Sequence, residues 1–287
     1  MKARKWHQIS VNIDEPHQDL IIGQLTLLGF CGFVQDDKSL GCFIPAHKWT
    51  SSIQTKFQKT LERFKIEFPS CNLTFTVSSL RDENWNKTWE KQTGIVEATS
   101  RIIIKPSWKK LPARHRNKLI LHIDPKMSFG TGHHETTRLS LSLIERFVQP
   151  DMKVLDFGCG TGVLGIACAK LGARSVAAID NDEWCIENAH ENVKRNHVQN
   201  KMKVLLGSVS AIPRLKFDLI AANIDFLTIS RFIKPLTARI SRQGTIIFSG
   251  ILTSDMSSLL PIFEKNSLVP IELVNENEWT AAALRHK

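Results

Sequence analysis

Gly158, Gly160 and Gly162, with Asp156 before them and Asp180 after them, are the residues of this chain best suited to chemistry. They fall in VLDFGCGTGVLGIACAKLGARSVAAID, Val154 to Asp180, which reads as a buried strand, a glycine turn, a helix and a second strand. Glycine tolerates positive φ in a tight turn and lets a bound molecule approach the backbone closely. An acid at the carboxyl end of the second strand can accept hydrogen bonds from both hydroxyls of a ribose, as acids do in nucleotide-binding βαβ units. The D-x-G-x-G-x-G spacing differs from the G-x-G-x-x-G of dinucleotide sites. The plain alternative is an ordinary βαβ unit with a capping Asp; glycines, acid and flanking periodicity agree against it.

Three further segments converge on the same end of the expected sheet. Asp124 to Thr137, DPKMSFGTGHHETT, precedes a helix; Gly130 and Gly132 make it a flexible loop, and Thr136 or Thr137 is expected to cap the helix. Hydroxyls and amides at a helix N-terminus suit a ligand carboxylate. Asn223 follows the apolar run Phe217 to Ala222. Its side-chain carbonyl and the next backbone carbonyl can accept from an amine and aim the nitrogen lone pair for in-line displacement. A strand-end Asn that merely makes a turn is the bland alternative. Gly207-Ser208-Val209 carries no acid, so backbone atoms are expected to read a base there.

The elements that must hold these residues are legible in outline. From about residue 134 we expect a helix to 147, a strand at 153–157, a helix at 163–171, a strand at 175–179 and a helix at 183–195. Strands follow at 202–206, 217–222, 244–249, 268–274 and 279–285, with a helix near 253–266. Helices alternating with apolar strands imply a mainly parallel sheet, and the last two strands, with no helix between them, pair antiparallel. The glycine turn then lies where ligands of open α/β sheets bind. Residues 1–80 show a β-α-β-β-α-β order that suggests a ferredoxin-like α+β domain. It carries no catalytic constellation and reads as a recognition module. Residues 81–100 read as a linker helix whose Trp85 and Trp89 share one face, and 101–287 as the catalytic domain, entered through strands at Ile102–Ile104 and Leu119–Ile123.

The 287 residues suffice for two domains, and no apolar run reaches the length of a membrane span. The start, MKARKWHQIS, lacks the apolar stretch of a secretory signal. The six cysteines show neither C-x-x-C nor metal-ligand spacing, which suits a reduced cytoplasmic protein. Adjacent His133 and His134 do not share a helix face as zinc ligands do, so no metal is expected. The net charge of +10 favours acidic or nucleic-acid partners. Its clearest cluster is Lys105, Lys109, Lys110, Arg114, His115, Arg116 and Lys118, equally readable as a solvated surface or a binding patch.

Taken together these motifs closely resemble the bacterial ribosomal protein L11 methyltransferase family, PrmA, within the class I methyltransferases that use S-adenosylmethionine. The family's F-G-T-G-T-H-x-T-T loop, D-F-G-C-G-x-G turn, G-I-D strand end and A-N-I segment are matched at 129–137, 156–162, 178–180 and 222–224. Arg101 to Trp108, the tryptophans at 85 and 89, S-G-I-L at 249–252 and Glu278-Trp279 fit as well. Asn223-x-x-Phe226 is also similar to the N-P-P-[YF] motif of nitrogen methyltransferases, without its prolines. The resemblance implies a seven-stranded, Rossmann-like class I sheet behind a ferredoxin-like domain that binds the ribosomal protein. It implies S-adenosylmethionine held by Thr137, Gly158, Asp180 and Asn223, to which the glycine turn adds Gly160, with Asn223 also orienting the amine. It further implies methylation, up to trimethylation, of lysine and N-terminal amines of that ribosomal protein; a monomeric enzyme is expected, cytoplasmic as the cysteines suggest and near ribosomal RNA as the charge allows. His133, Glu135 and Asp225-Phe226 depart from the family pattern and bear on loop stiffness and the substrate pocket.

Two other classes stay open on the sequence. One is an enzyme of this fold acting on another protein or on RNA. The other is a non-catalytic, ribosome-associated binding protein, which a measurement of cofactor binding would separate at once.

Overall fold

Alternation of apolar residues builds the N-terminal sheet. In β1 (Trp6–Asn12) Ile9 and Val11 point to one face and are fully buried. The computed structural model describes residues 6–36, 38–69, 71, 73–80, 94–124, 126 and 128–287. The expected tryptophan pair at 85 and 89 lies outside them. The chain divides into two compact units, Met1–Lys91 and Gln92–Lys287.

In the first unit β1 is followed by α1 (Glu15–Leu27), β2 (Gly32–Asp36), β3 (Ser39–Pro45), α2 (Ser51–Glu67) and β4 (Thr74–Leu80). The strands form an antiparallel sheet in the order β2-β3-β1-β4. With two helices packed on it, this is the ferredoxin-like arrangement. Ile21 and Leu25 of α1 and Phe57, Leu61 and Phe64 of α2 bury their faces against Ile9, Val11, Leu40 and Ile44. Thr50 caps α2 by accepting from the Ile53 amide at 3.4 Å.

The second unit opens with a small sheet of β5 (Val96–Glu97), β6 (Ile102–Lys105) and β7 (Leu119–His122). Here the basic cluster breaks up. Lys105 is buried with Nζ donating to the Pro106 carbonyl at 2.8 Å, His115 is buried, and Lys118 pairs with Glu97 at 2.9 Å. A continuous seven-residue basic patch is therefore not formed.

Beyond it run α3 (Glu135–Phe147), β8 (Lys153–Phe157), α4 (Val163–Lys170), β9 (Ser175–Asp180), α5 (Glu183–Arg195) and β10 (Met202–Leu206). Then come β11 (Phe217–Asn223), α6 (Phe226–Thr237), β12 (Ile240–Leu252), α7 (Met256–Lys265), β13 (Leu268–Glu276) and β14 (Trp279–His286). The seven-stranded sheet has the order β10-β9-β8-β11-β12-β14-β13. Strands β8 to β12 pair parallel, and the closing β13–β14 hairpin is antiparallel, as expected.

Both faces of this sheet are covered, so neighbouring residues on one strand serve different cores. Val154, Leu219 and Ile247 join the cluster under α3, α4 and α5. Leu155, Ile220 and Phe248 join the one under α6 and α7. The sequence reading lacks α6, and it also lacks β5: the described end of the expected 81–100 linker helix, residues 94–100, holds a strand at Val96–Glu97 that pairs antiparallel with β6 instead of continuing a helix. Asp225 starts α6 by accepting from the Thr228 amide at 3.0 Å, and Ile229, Ile233 and Leu236 form its buried face despite Pro235.

Candidate functional site

The carboxyl ends of β9, β8, β11 and β12 are neighbours in the sheet, and each carries one piece of the site. They are respectively Asp180, the turn Gly158–Gly162, Asn223 and Ser249-Gly250. This is the end of an open α/β sheet where ligands bind.

The turn is left-handed at Gly158, Gly160 and Gly162, with φ of 76°, 52° and 79°. That conformation is strained for residues with a Cβ. Space excludes one too: a Cβ on Gly158 would stand 2.7 Å from Ile224 Cγ2, and one on Gly160 would run into the Phe129 carbonyl. The amides of Gly158 and Cys159 donate to the Ile179 carbonyl at 2.8 and 3.0 Å. Burial pushes the Cys159 thiol well up, so it is no nucleophile.

Asp180 ties the turn to β9. Its Oδ2 accepts from the Gly160 amide at 2.8 Å and its Oδ1 from the Asp182 amide at 3.1 Å. A carboxylate has about four lone-pair sites, so each oxygen keeps one for a ligand hydroxyl. Asp156 lies beneath the turn, fully buried, with Oδ2 accepting from the Gly165 amide at 2.8 Å and Oδ1 unpartnered. Burial is the main cause that pushes its carboxyl up to about 7; the Gly165 bond opposes this and the charge of Asp180 adds to it.

The loop before α3 closes over the turn. Thr161 donates its amide to the Phe129 carbonyl and its hydroxyl to the Gly130 carbonyl, both at 2.8 Å. The cap of α3 is not Thr136 or Thr137 but His134, whose Nδ1 accepts from the Thr136 amide at 3.3 Å. That frees Thr137. It is fully buried, and its Oγ1 has no hydrogen-bond partner. A buried hydroxyl left unpaired is costly, which makes Thr137 a candidate ligand-binding group.

Asn223 ends β11 in register with Ser249 of β12. Its side chain is half-buried and makes no hydrogen bond among the described residues. Ile224 beyond it donates to the Ser249 carbonyl at 3.1 Å, and Ser249 Oγ donates to the Thr136 carbonyl at 3.0 Å. Ser249 thus joins the Asn223 segment to α3. Gly250, with φ of 81°, lies against the Ile224 carbonyl, which a Cβ would meet at 2.6 Å. Neither residue was singled out as a site residue from sequence; the S-G-I-L run after an apolar strand was the available signal. Asn192 was missed as well. Buried on α5, its Nδ2 donates to the Thr161 and Asp124 carbonyls at 3.0 and 3.4 Å, while its Oδ1 accepts from the Asp124 amide at 3.0 Å. Of the residues that depart from the pattern, Asp225 is spent on capping α6, with Oδ2 accepting from the Thr228 hydroxyl at 2.6 Å.

A family model described as "Ribosomal protein L11 methyltransferase (PrmA)" matches residues 5–287. The chain belongs to this family. A member from Chlorobaculum parvum is 33% identical over 294 residues, covering 100% of both chains. Another from Prochlorococcus marinus (strain MIT 9312) is 30% identical over 97% of this chain and 96% of its own. The crystal structure of the ribosomal protein L11 methylase from Lactobacillus delbrueckii subsp. bulgaricus is 31% identical, with a TM-score of 0.63 over 67% of this chain and 98% of that one.

Family and fold make this chain a class I methyltransferase with S-adenosylmethionine as its cofactor. The residues present fit that molecule. They offer a cradle too tight for a Cβ, an acid with spare lone pairs and an orphaned hydroxyl at a helix N-terminus.

Proposed function

We propose that this enzyme methylates amine nitrogens of ribosomal protein L11, on lysine side chains and at the N-terminus, adding up to three methyl groups to each. When bound, S-adenosylmethionine supplies a methyl group on a positively charged sulfur. The backbone of Gly158 and Gly160 would line its adenosyl portion, Asp180 would accept from the ribose hydroxyls, and Thr137 with the α3 amides would meet the methionyl carboxylate.

Asn223 carries the amine chemistry in this reading. Its side-chain carbonyl accepts an N–H of the incoming amine and aims the nitrogen lone pair. The supporting observation is that its amide ends β11, between the strands bearing the glycine turn and Ser249-Gly250, with no competing hydrogen bond among the described residues. The amine must enter neutral, because an ammonium has no lone pair. The names of the relatives supply L11 as the substrate. The first unit, which carries no glycine turn of this kind, serves to recognise that protein. The charge of +10 supports work beside ribosomal RNA.

The test is to offer methyl-labelled cofactor and the purified enzyme to a mixture of large-subunit ribosomal proteins and ribosomal RNA. Label in L11, located on amine nitrogens by mass spectrometry, is the expected result. Label in RNA, or in another protein in place of L11, would overturn the reading.

A further inference from the structure

Gly130 and Gly132 both sit at positive φ, 102° and 86°, so the segment between Phe129 and His134 needs outside bonds to keep its shape. Thr161 anchors its front. Its rear is held by Arg138, in the first turn of α3, beside the Thr131 hydroxyl, which accepts from the His133 amide at 3.2 Å, and the His134 ring, which packs edge-on against Trp279. Arg138 Nη1 donates to the Gly132 carbonyl at 3.3 Å and also to the His133 carbonyl. The rest of the guanidinium is gripped by Glu276 at the end of β13. Nε reaches its two oxygens at 3.0 and 3.2 Å, and Nη2 reaches Oε1 at 2.5 Å. Glu135 lies 3.6 Å from Nη2 and in turn accepts from Asn277 at 3.0 Å. The Arg138 side chain is only 20% exposed.

We propose that Arg138 is a positioning residue for cofactor binding. It fixes the 130–134 loop through the Gly132 and His133 carbonyls, while the β13–β14 hairpin fixes Arg138 through Glu276. A planar guanidinium presents five donors in a rigid fork, so it can serve a carboxylate with one edge and two carbonyls with another. A lysine ammonium is a point donor and cannot span both. The bland alternative is a brace: an ion pair that stabilises the hairpin on α3 and leaves the loop indifferent. The two differ in what the carbonyl bonds do, since Glu276→Gln weakens the ion pair but leaves those bonds in place.

This inference rests on the reading that residues 130–137 hold the cofactor. Calorimetric titration of the full-length protein with S-adenosylmethionine, alongside thermal melting, tests both. Arg138→Ala is expected to weaken binding about tenfold, as loss of charge-assisted hydrogen bonds does, and Glu276→Gln about threefold or less at a similar loss of melting temperature. Arg138→Lys, which serves should the alanine variant fail to fold, is expected to lose about threefold. Affinity within twofold of wild type in Arg138→Ala or Arg138→Lys, or affinity that follows melting temperature equally in Arg138→Ala and Glu276→Gln, would leave only a brace and overturn the proposal. Thr137→Val separates the underlying reading. If it binds cofactor like wild type, the site assignment falls; if it binds weakly while Arg138→Ala does not, only the role of Arg138 falls.

Discussion

Gly160 donates its amide to Oδ2 of Asp180 at 2.8 Å. The acid at the end of β9 is therefore part of the glycine turn's own architecture as well as a candidate ribose acceptor. Both uses draw on the lone pairs of the same carboxyl oxygens, so both are lost together when the side chain is removed.

Asp180→Ala should cost about 2–3 kcal/mol of cofactor affinity, since charge-assisted hydrogen bonds are among the stronger ones. The melting temperature should fall as well, because the Gly160 and Asp182 amides lose their acceptor. Calorimetric titration checks the first effect, and unchanged affinity for S-adenosylmethionine would remove Asp180 from the site.

Asp156 predicts an unusual pH dependence of stability. Its carboxyl is pushed up to about 7 in the folded protein, chiefly by burial, against about 3.9 in an unfolded chain. Between about pH 4 and 7 the folded protein thus holds a proton that the unfolded chain has released. Stability therefore falls as pH rises through that window and levels off above it, with a total on the order of a few kcal/mol. Asp156→Asn keeps a neutral group that can still accept from Gly165. Denaturant unfolding of both proteins across this range should show the variant gaining on wild type from pH 4 upward. A stability difference that stays flat would mean Asp156 is not protonated in the folded state.

The rate of methyl transfer should rise with pH. Asp225, the acid nearest Asn223 in the chain, is held below the usual carboxylate range by hydrogen bonding to Thr228, so it is a poor base. The substrate amine must then lose its proton to water, and a lysine amine has an ordinary pKa of about 10.4. Single-turnover rates at saturating cofactor should climb about tenfold per pH unit below the amine's pKa. A plateau beginning at pH 6–7 would reveal a base in the enzyme.

Local signals made much of this protein legible in its sequence. The glycine spacing, Asp180 and the strand periodicity gave the βαβ unit, and the missing helix between the last two strands gave the hairpin. What escaped depended on distance or on competing preferences. Pro235 interrupts the pattern of α6, whose start is set by the Asp225 cap. Strand β12 begins at Ile240, earlier than expected, because the polar Ser241, Arg242 and Gln243 hid its first half. Thr136 and Thr137 are better caps by type, yet the neighbouring His134 ring took that role and left the Thr137 hydroxyl unpaired. Ser249 and Asn192 act on segments 113 and 68 residues away, and no local rule connects them.

Asn223 is where the account can fail most directly. Its side chain has no hydrogen bond among the described residues, so Asn223→Ala leaves the Ile224–Ser249 bond intact and removes the group assigned to the amine. The decisive measurement is the single-turnover rate of L11 methylation by this variant at saturating cofactor, with cofactor affinity measured separately. The account predicts a chemical step slower by roughly one to two orders of magnitude, through lost orientation. An unchanged chemical step would contradict it and reduce Asn223 to a residue that at most holds the cofactor.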